Sequence, residues 1–159
     1  DDTCTVSTAS CKGGIAAFFI IGLALAATNF LTREDTAPTH SMEPPDLSDV
    51  EAGGPIVEVS LPAAMSAEAQ IGQRVFEAAC ADCHGTNATG QNGVAPPLVH
   101  ITYEPNHHSD QAFLMAVRNG VRSHHWNFGN MPSIDGLTNG DVRSIIQYIR
   151  ELQRENGIS

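Results

Sequence analysis

The chain has 159 residues and a formal net charge of −10, which comes from 18 acidic residues against eight basic ones. A chain this acidic repels the phosphate backbone of nucleic acids, so its composition excludes nucleic acid as a partner. Charge and hydropathy change at three places along the sequence. These changes predict four regions: residues 1–12, 13–31, 32–65 and 66–159.

Residues 13–31 form nineteen consecutive uncharged positions between Lys12 and Arg33. At about 1.5 Å per residue, a helix of this length approaches the roughly 30 Å hydrocarbon core of a bilayer. The alternative is a secretory signal peptide, because Ala24-Leu25-Ala26 has the pattern of a cleavage site. We favour an uncleaved transmembrane anchor that spans the membrane once.

The regions on either side of this segment are polar. Residues 1–12 would form a short cytoplasmic tail, in which we expect Cys4 and Cys11 to be incidental reduced thiols. Residues 32–65 contain five of the nine prolines, seven acidic residues and one arginine, a composition typical of a linker. The sequence leaves open whether this linker is a flexible tether or a strap ordered against a partner.

Residues 66–159 are predicted to form a helical domain without long strands, because Gly, Pro, Asn and His separate its apolar segments. Ser66 can act as the N-cap of a first helix over residues 67–79. The spacing of the apolar residues in this helix predicts that one of its faces is buried. The predicted apolar residues of that face are Ile71, Val75, Phe76 and Ala79.

Two further helices have recognisable start signals. Ser109 can cap a helix over residues 110–119, which Gly120 can end with a positive φ. Thr138 followed by Asp141 is a variant of the capping box and starts the C-terminal helix. The apolar residues of these two helices are Phe113, Leu114 and Val117, and Ile145, Ile146, Ile149 and Leu152.

Cys80-Ala81-Asp82-Cys83-His84 is a CxxCH motif, the attachment signature of covalently bound c-type haem. Its two thiols can add to the two vinyl groups of one porphyrin, and His84 is then placed to bind the iron from the proximal side. The alternatives are a zinc half-site and a redox CxxC. Because the other cysteines lie far upstream across an apolar segment, no second CxxC completes a zinc site. The motif therefore predicts one haem c with its iron.

An iron held by one histidine needs a sixth ligand if it is to carry electrons without binding small molecules, and thioether sulfur is the usual choice. Met131 is the candidate, because Gly129 and Pro132 restrict a loop that could present one side chain to the distal face. Met115 fits less well, since it lies in an apolar helical pattern that predicts core packing. A histidine ligand is the alternative, and the sequence offers two pairs: His107 with His108, and His124 with His125.

The whole C-terminal region resembles a class I cytochrome c. The family begins with an amphipathic helix that carries a glycine and, four residues later, an aromatic residue, as do Gly72 and Phe76 here. Family members also have a proline about a dozen residues after the proximal histidine, whose carbonyl accepts the Nδ1 proton; Pro96 matches it. The residues that match the packing pair of the family's last helix are Ile145 and Tyr148.

The resemblance implies an all-α, class I cytochrome c fold of three to five helices around one haem, preceded here by a transmembrane helix and an acidic, proline-rich linker. It implies no catalytic residue. The residues that it places at the cofactor are Cys80, Cys83, His84, Pro96 and Met131, with His84 and Met131 as the iron ligands.

The resemblance also implies a function and a location. We expect an electron carrier, not an enzyme, that transfers single electrons between a quinol–cytochrome c reductase and a terminal oxidase or reaction centre. Its haem domain would lie on the periplasmic side of a bacterial inner membrane. Two alternatives stay open: a fixed subunit of a larger oxidoreductase or respiratory supercomplex, and a peroxidase or gas sensor with an open or histidine-ligated haem.

Overall fold

The computed structural model describes residues 44–159, which form four α-helices and two short 3-10 turns. The helices are α1 (Ala67–Ala79), α2 (Ala81–His84), α3 (Asp110–Asn119) and α4 (Asn139–Glu155), and the turns are Thr86–Ala88 and Ile101–Tyr103. Backbone pairing in this part of the chain is limited to two isolated bridges, Gln91 with Ala95 and Val121 with Met131. The prediction of a helical domain without strands is confirmed.

The predicted tail, the predicted anchor and the first part of the predicted linker lie outside the described residues. Those segments are residues 1–12, 13–31 and 32–43. Among residues 44–159, no helix combines the length and the apolar character that crossing a bilayer requires.

The three predicted N-caps are confirmed. The Ser66 hydroxyl accepts a hydrogen bond from the backbone N–H of Ala69 at 3.1 Å, and the Ser109 hydroxyl caps α3 in the same way. At the start of α4, Thr138 and Asp141 form a reciprocal capping box. Because each cap satisfies backbone donors that the first helical turn leaves unpaired, the helix starts follow from local sequence.

The core lies where α1 crosses α4. At Gly72 the two helices approach so closely that an added Cβ would lie 1.8 Å from the backbone oxygen of Ser144. One turn further along α1, the ring of Phe76 packs against that of Tyr148, with 5.7 Å between their centroids. The predicted contacts between the first and last helices are therefore present, and Ile145, Ile149 and Leu152 are buried with them.

Two predictions about buried side chains are wrong. Ile71, assigned to the buried face of α1, is 42% exposed, and Met115, expected to fill the core, is 44% exposed. The buried face of α1 instead carries Ala69, Gly72 and Phe76. The cause is the close crossing at Gly72, which turns this face toward α4 and leaves Ile71 outside it.

Residues 50–65, which we call the strap, fold back onto the domain. The backbone N–H of Gly53 donates to the backbone oxygen of Asn92 at 2.8 Å. The backbone N–H of Asn92 donates in turn to the backbone oxygen of Gly54 at 2.9 Å. Near the other end, the side-chain amide of Asn156 exchanges two 2.9 Å hydrogen bonds with the backbone of Ser60. Val59 and Met65 pack against the core. The strap thus joins the loop after the CxxCH motif to the end of α4.

We expect Gly72→Ala to lower the free energy of unfolding by about 1–3 kcal/mol, because the new methyl group overpacks the α1–α4 crossing. Gly140→Ala is the matched control: Gly140 lies in α4, and the only atom near its added Cβ is the Thr138 hydroxyl oxygen at 3.5 Å, an ordinary contact. Urea unfolding followed by circular dichroism measures both changes. Equal effects of the two substitutions would contradict a close crossing at Gly72.

Candidate functional site

The CxxCH motif spans the junction of α1 and α2. Cys80 ends α1, where its N–H bonds to the backbone oxygen of Phe76, and it is also the N-cap of α2. Both cysteines are free thiols, Cys80 partly buried and Cys83 exposed. Burial, with a smaller contribution from Cys83, raises the pKa of the Cys80 thiol to about 11. Cys80 is therefore a neutral thiol near neutral pH in the chain without bound metal or haem.

His84 is buried at the end of α2, and its Nδ1 lies 2.9 Å from the carbonyl oxygen of Pro96. A carbonyl can only accept, so Nδ1 carries the proton and Nε2 keeps the lone pair that a metal ligand needs. Burial lowers the pKa of His84, and the bond to Pro96 opposes this shift. The structure thus brings together His84 and Pro96, the pair that the family resemblance places at the proximal side of the iron.

The turn between His84 and Pro96 is held from two sides. Asn87 and Ala88 both have positive φ, at 56° and 60°, a conformation that costs energy for residues with a Cβ. The Asn87 side chain accepts a 3.1 Å hydrogen bond from the Tyr148 hydroxyl of α4, and the backbone oxygen of Ala88 accepts the N–H of Leu98. These bonds fix the unusual turn and with it the position of the Pro96 carbonyl.

Met131 lies on a separate loop between α3 and α4. Its backbone forms an isolated bridge with Val121, through hydrogen bonds of 2.9 and 3.0 Å. Gly120, which ends α3 with φ 71°, makes room for this bridge: a Cβ there would lie 2.5 Å from the Met131 oxygen. The loop is therefore anchored beside α3, and two hydrogen bonds hold the Met131 backbone in place.

Trp126 is buried, at 5% exposure, and its Nε1 is the one buried side-chain polar atom without a hydrogen-bond partner among residues 44–159. Its ring stacks on Phe128 and meets His100 edge to face. Burial raises the pKa of Tyr103, and the nearby Trp126 indole opposes this rise. The Tyr103 hydroxyl and the indole N–H nevertheless do not form a hydrogen bond. A buried donor without an acceptor is costly, and a haem propionate is an acceptor of the kind that it lacks.

Arg150 is the residue that sequence reasoning missed. Its side chain is 7% exposed and forms an ion pair with the largely exposed Asp110 at 2.8 Å. The guanidinium also donates to the backbone oxygens of Tyr103, at 2.8 Å, and of His108, and to the Gln153 side chain. The available signal was its position, since Ile146 and Gln153 place Arg150 within the buried face of α4. We call these contacts the Arg150 clasp.

The four candidate histidines lie against one another. His107 and His108 precede α3, and His124 and His125 lie on the loop that leads to Met131. The closest pair of rings, His124 and His125, has centroids 4.2 Å apart. The predicted pairs therefore form one cluster.

A comparison with protein-family models matches residues 69–153 to the family described as cytochrome c. The match covers more than half of the chain and includes the CxxCH motif, Pro96, Met131 and the α1–α4 crossing. No curated protein matches the chain.

We expect Arg150→Met to lower the free energy of unfolding by roughly 2–4 kcal/mol, because it removes the donor of the His108 backbone oxygen and one of the two donors of the Tyr103 backbone oxygen. Arg154→Met is the matched control, since Arg154 is exposed and its contact with Glu151 is 3.9 Å long; we expect it to change stability by less than about 0.5 kcal/mol. Urea unfolding measures both. If Arg154→Met proved as costly as Arg150→Met, the clasp would not be a main constraint.

Proposed function

Because the chain belongs to the cytochrome c family and its cofactor is a covalently attached c-type haem with iron, we propose that it relays single electrons between a quinol-oxidising complex and a terminal oxidase or reaction centre. Membership in the family implies electron transfer and an electron carrier.

We propose that Cys80 and Cys83 form the two thioether bonds, and that His84 and Met131 bind the iron from opposite sides. The carrying observation is the 2.9 Å contact between His84 Nδ1 and the Pro96 oxygen. It holds the proton on Nδ1 and orients the ring. Nε2 is then unprotonated, and its lone pair can bind a metal. The unpaired N–H of Trp126 and the two free thiols also suit a haem with its propionates.

This ligand set favours a carrier over an enzyme. The haem supplies a one-electron change at its iron. If His84 and Met131 both hold the iron, no coordination position would stay open for a substrate or a gas. The Val121–Met131 bridge supports this arrangement, because a methionine with a fixed backbone needs little reorganisation when the iron changes charge.

We expect Met131→Leu in the haem-loaded protein to abolish the weak far-red absorption band that reports bonding between ferric iron and methionine sulfur. The midpoint potential should fall, because a methionine ligand raises it, and the ferrous protein should bind carbon monoxide. Absorption spectra and a redox titration measure these changes.

The control for this experiment is Met115→Leu, a change of the same chemistry at an exposed position on α3. It should leave the band, the potential and the lack of carbon monoxide binding unchanged. Persistence of the band in Met131→Leu would reject Met131 as the sixth ligand. Carbon monoxide binding to the unmodified protein would favour the sensor or peroxidase alternative.

We further propose that residues 13–31 anchor the protein in a bacterial inner membrane, with the haem domain on the periplasmic side. The strap shortens the tether between the proposed anchor and the haem domain, and this short tether favours a partner near the membrane surface. Because the strap starts at residue 50, only residues 32–49 separate it from the end of the proposed anchor, and eighteen residues span at most about 65 Å. The full predicted linker would span almost twice that distance.

We expect detergent, and not high salt, to release the haem protein from membranes, mostly as a species separate from the larger respiratory complexes. As a control, residues 32–159 fused to a cleavable export signal should appear in the soluble periplasmic fraction. Size-exclusion chromatography with haem detection measures both. Recovery at a fixed ratio with one large complex would instead favour the fixed-subunit alternative.

A further inference from the structure

The histidine cluster comprises His107, His108, His124 and His125, and it brings together two loops. The first pair precedes α3, and the second lies between Val121 and Trp126. His107 and His125 have ring centroids 5.2 Å apart, and so have His108 and His125. None of the four belongs to the CxxCH motif. Four imidazoles from two loops are thus concentrated at one place, and the proposed iron ligands, His84 and Met131, include none of them.

Three of the histidines converge in the manner of metal ligands. His107, His108 and His125 each offer a ring nitrogen, and these three atoms lie within 4.8 Å of one another. The Nε2 atoms of His107 and His125 are 3.3 Å apart. Two nitrogens bound to one tetrahedral ion at about 2.0–2.1 Å lie about 3.3 to 3.4 Å from each other. The observed separation, which is also that of a hydrogen bond between the two rings, therefore fits two ligands of one ion.

The hydrogen bond of His108 leaves the correct nitrogen available. Its Nδ1 lies 2.6 Å from the backbone oxygen of Thr102, which can only accept. Nδ1 therefore carries the proton, and the lone pair is on Nε2. A carbonyl that holds the other nitrogen of a ligating histidine is the common arrangement in metal sites. Burial and the neighbouring histidines lower the pKa of His125, and burial is also the main cause of the lowered pKa of His108; both shifts favour neutral rings.

The surrounding structure holds the two loops in place before any ion binds. The backbone N–H groups of His107 and His108 both donate to the oxygen of Glu104, at 3.1 and 2.8 Å. The Arg150 clasp holds the backbone of His108 from the side of α4. On the second loop, the Val121–Met131 bridge and the 2.9 Å bond from the Ser123 N–H to the Asn130 side chain fix the segment around His125. Such preorganisation lowers the entropy cost of binding.

We propose that His107, His108 and His125 form a second metal site, separate from the haem iron, which binds a divalent first-row transition-metal ion such as Zn²⁺ or Cu²⁺. Imidazole nitrogen suits these ions, and three histidines leave a coordination position for water. The ion would connect the loop before α3 to the loop that carries Met131. His124 is not one of the three ligands, because the ring nitrogens that lie within 4.8 Å of one another are those of His107, His108 and His125.

The test uses Zn²⁺ alone, which has no redox chemistry, and the full haem-loaded chain with Cys4→Ser and Cys11→Ser, so that those thiols do not compete. After equilibrium dialysis, elemental analysis should give a zinc-to-iron ratio of about one. In calorimetric titrations, His107→Asn and His125→Asn should each weaken Zn²⁺ binding at least about tenfold. Zn²⁺ should also raise the Tm of the parent protein and not that of His125→Asn.

His100→Asn is the matched control. His100 lies outside the cluster, and its Nδ1 caps the turn at Thr102, a role that asparagine also fills; this variant should bind Zn²⁺ like the parent. The haem spectrum of each variant reports that it has folded. A parent protein that retains no zinc, or equal binding by the parent and the His107 and His125 variants, would overturn the proposal. So would a shifted haem spectrum in His125→Asn, because it would assign that imidazole to the haem iron.

Discussion

The close approach of α1 and α4 at Gly72 is the constraint on which the rest of the structure depends. With no side chain at Gly72, the backbone of α1 comes against that of α4 at Ser144. This contact sets the register in which Phe76 meets Tyr148, and Tyr148 in turn reaches Asn87 in the turn after the CxxCH motif. The position of His84, the proposed proximal ligand, is therefore set by a helix crossing more than one helical turn away from it.

The next turn of α4 controls a different part of the molecule. Arg150 and Gln153 are both buried, and together they bind the backbone oxygens of Leu98, Tyr103 and His108. A buried guanidinium is costly unless its donors are satisfied, and here they meet oxygens along the loop that leads from Pro96 to α3. One helix thus carries an apolar stripe that packs against α1 and a polar pair that shapes the loop. Helix α4 therefore supports both the proposed proximal side of the haem site and the histidine cluster.

Sequence rules succeeded where a few neighbouring residues decide the structure. The caps at Ser66, Ser109 and Thr138 and the CxxCH motif are local patterns, and each was recognisable without knowing the fold. The failures concern long-range contacts. The apolar pattern of α1 allowed Ile71 on the buried face, because periodicity does not say which side another helix approaches. The spacing of α4 places Arg150 on its buried face, but it does not say which backbone oxygens the guanidinium reaches. The meeting of the two histidine pairs likewise depends on the packing of two loops.

The two sides of the proposed haem site are held by unequal means. On the proximal side, residues from α4 and from the loop after the CxxCH motif, among them Tyr148 and Gln91, hold the motif and its turn through side-chain hydrogen bonds. On the distal side, the described backbone contacts of Met131 run only to Val121, ten positions earlier in the chain. Contacts that close a short loop resist local opening less than contacts that tie it to the core. His84 is therefore tied to the core by more side-chain contacts than Met131 is, although the bridge to Val121 holds the Met131 backbone. A metal ion bound by His107, His108 and His125 would tie this loop to the segment held by Arg150, so the ion would stabilise the weaker side.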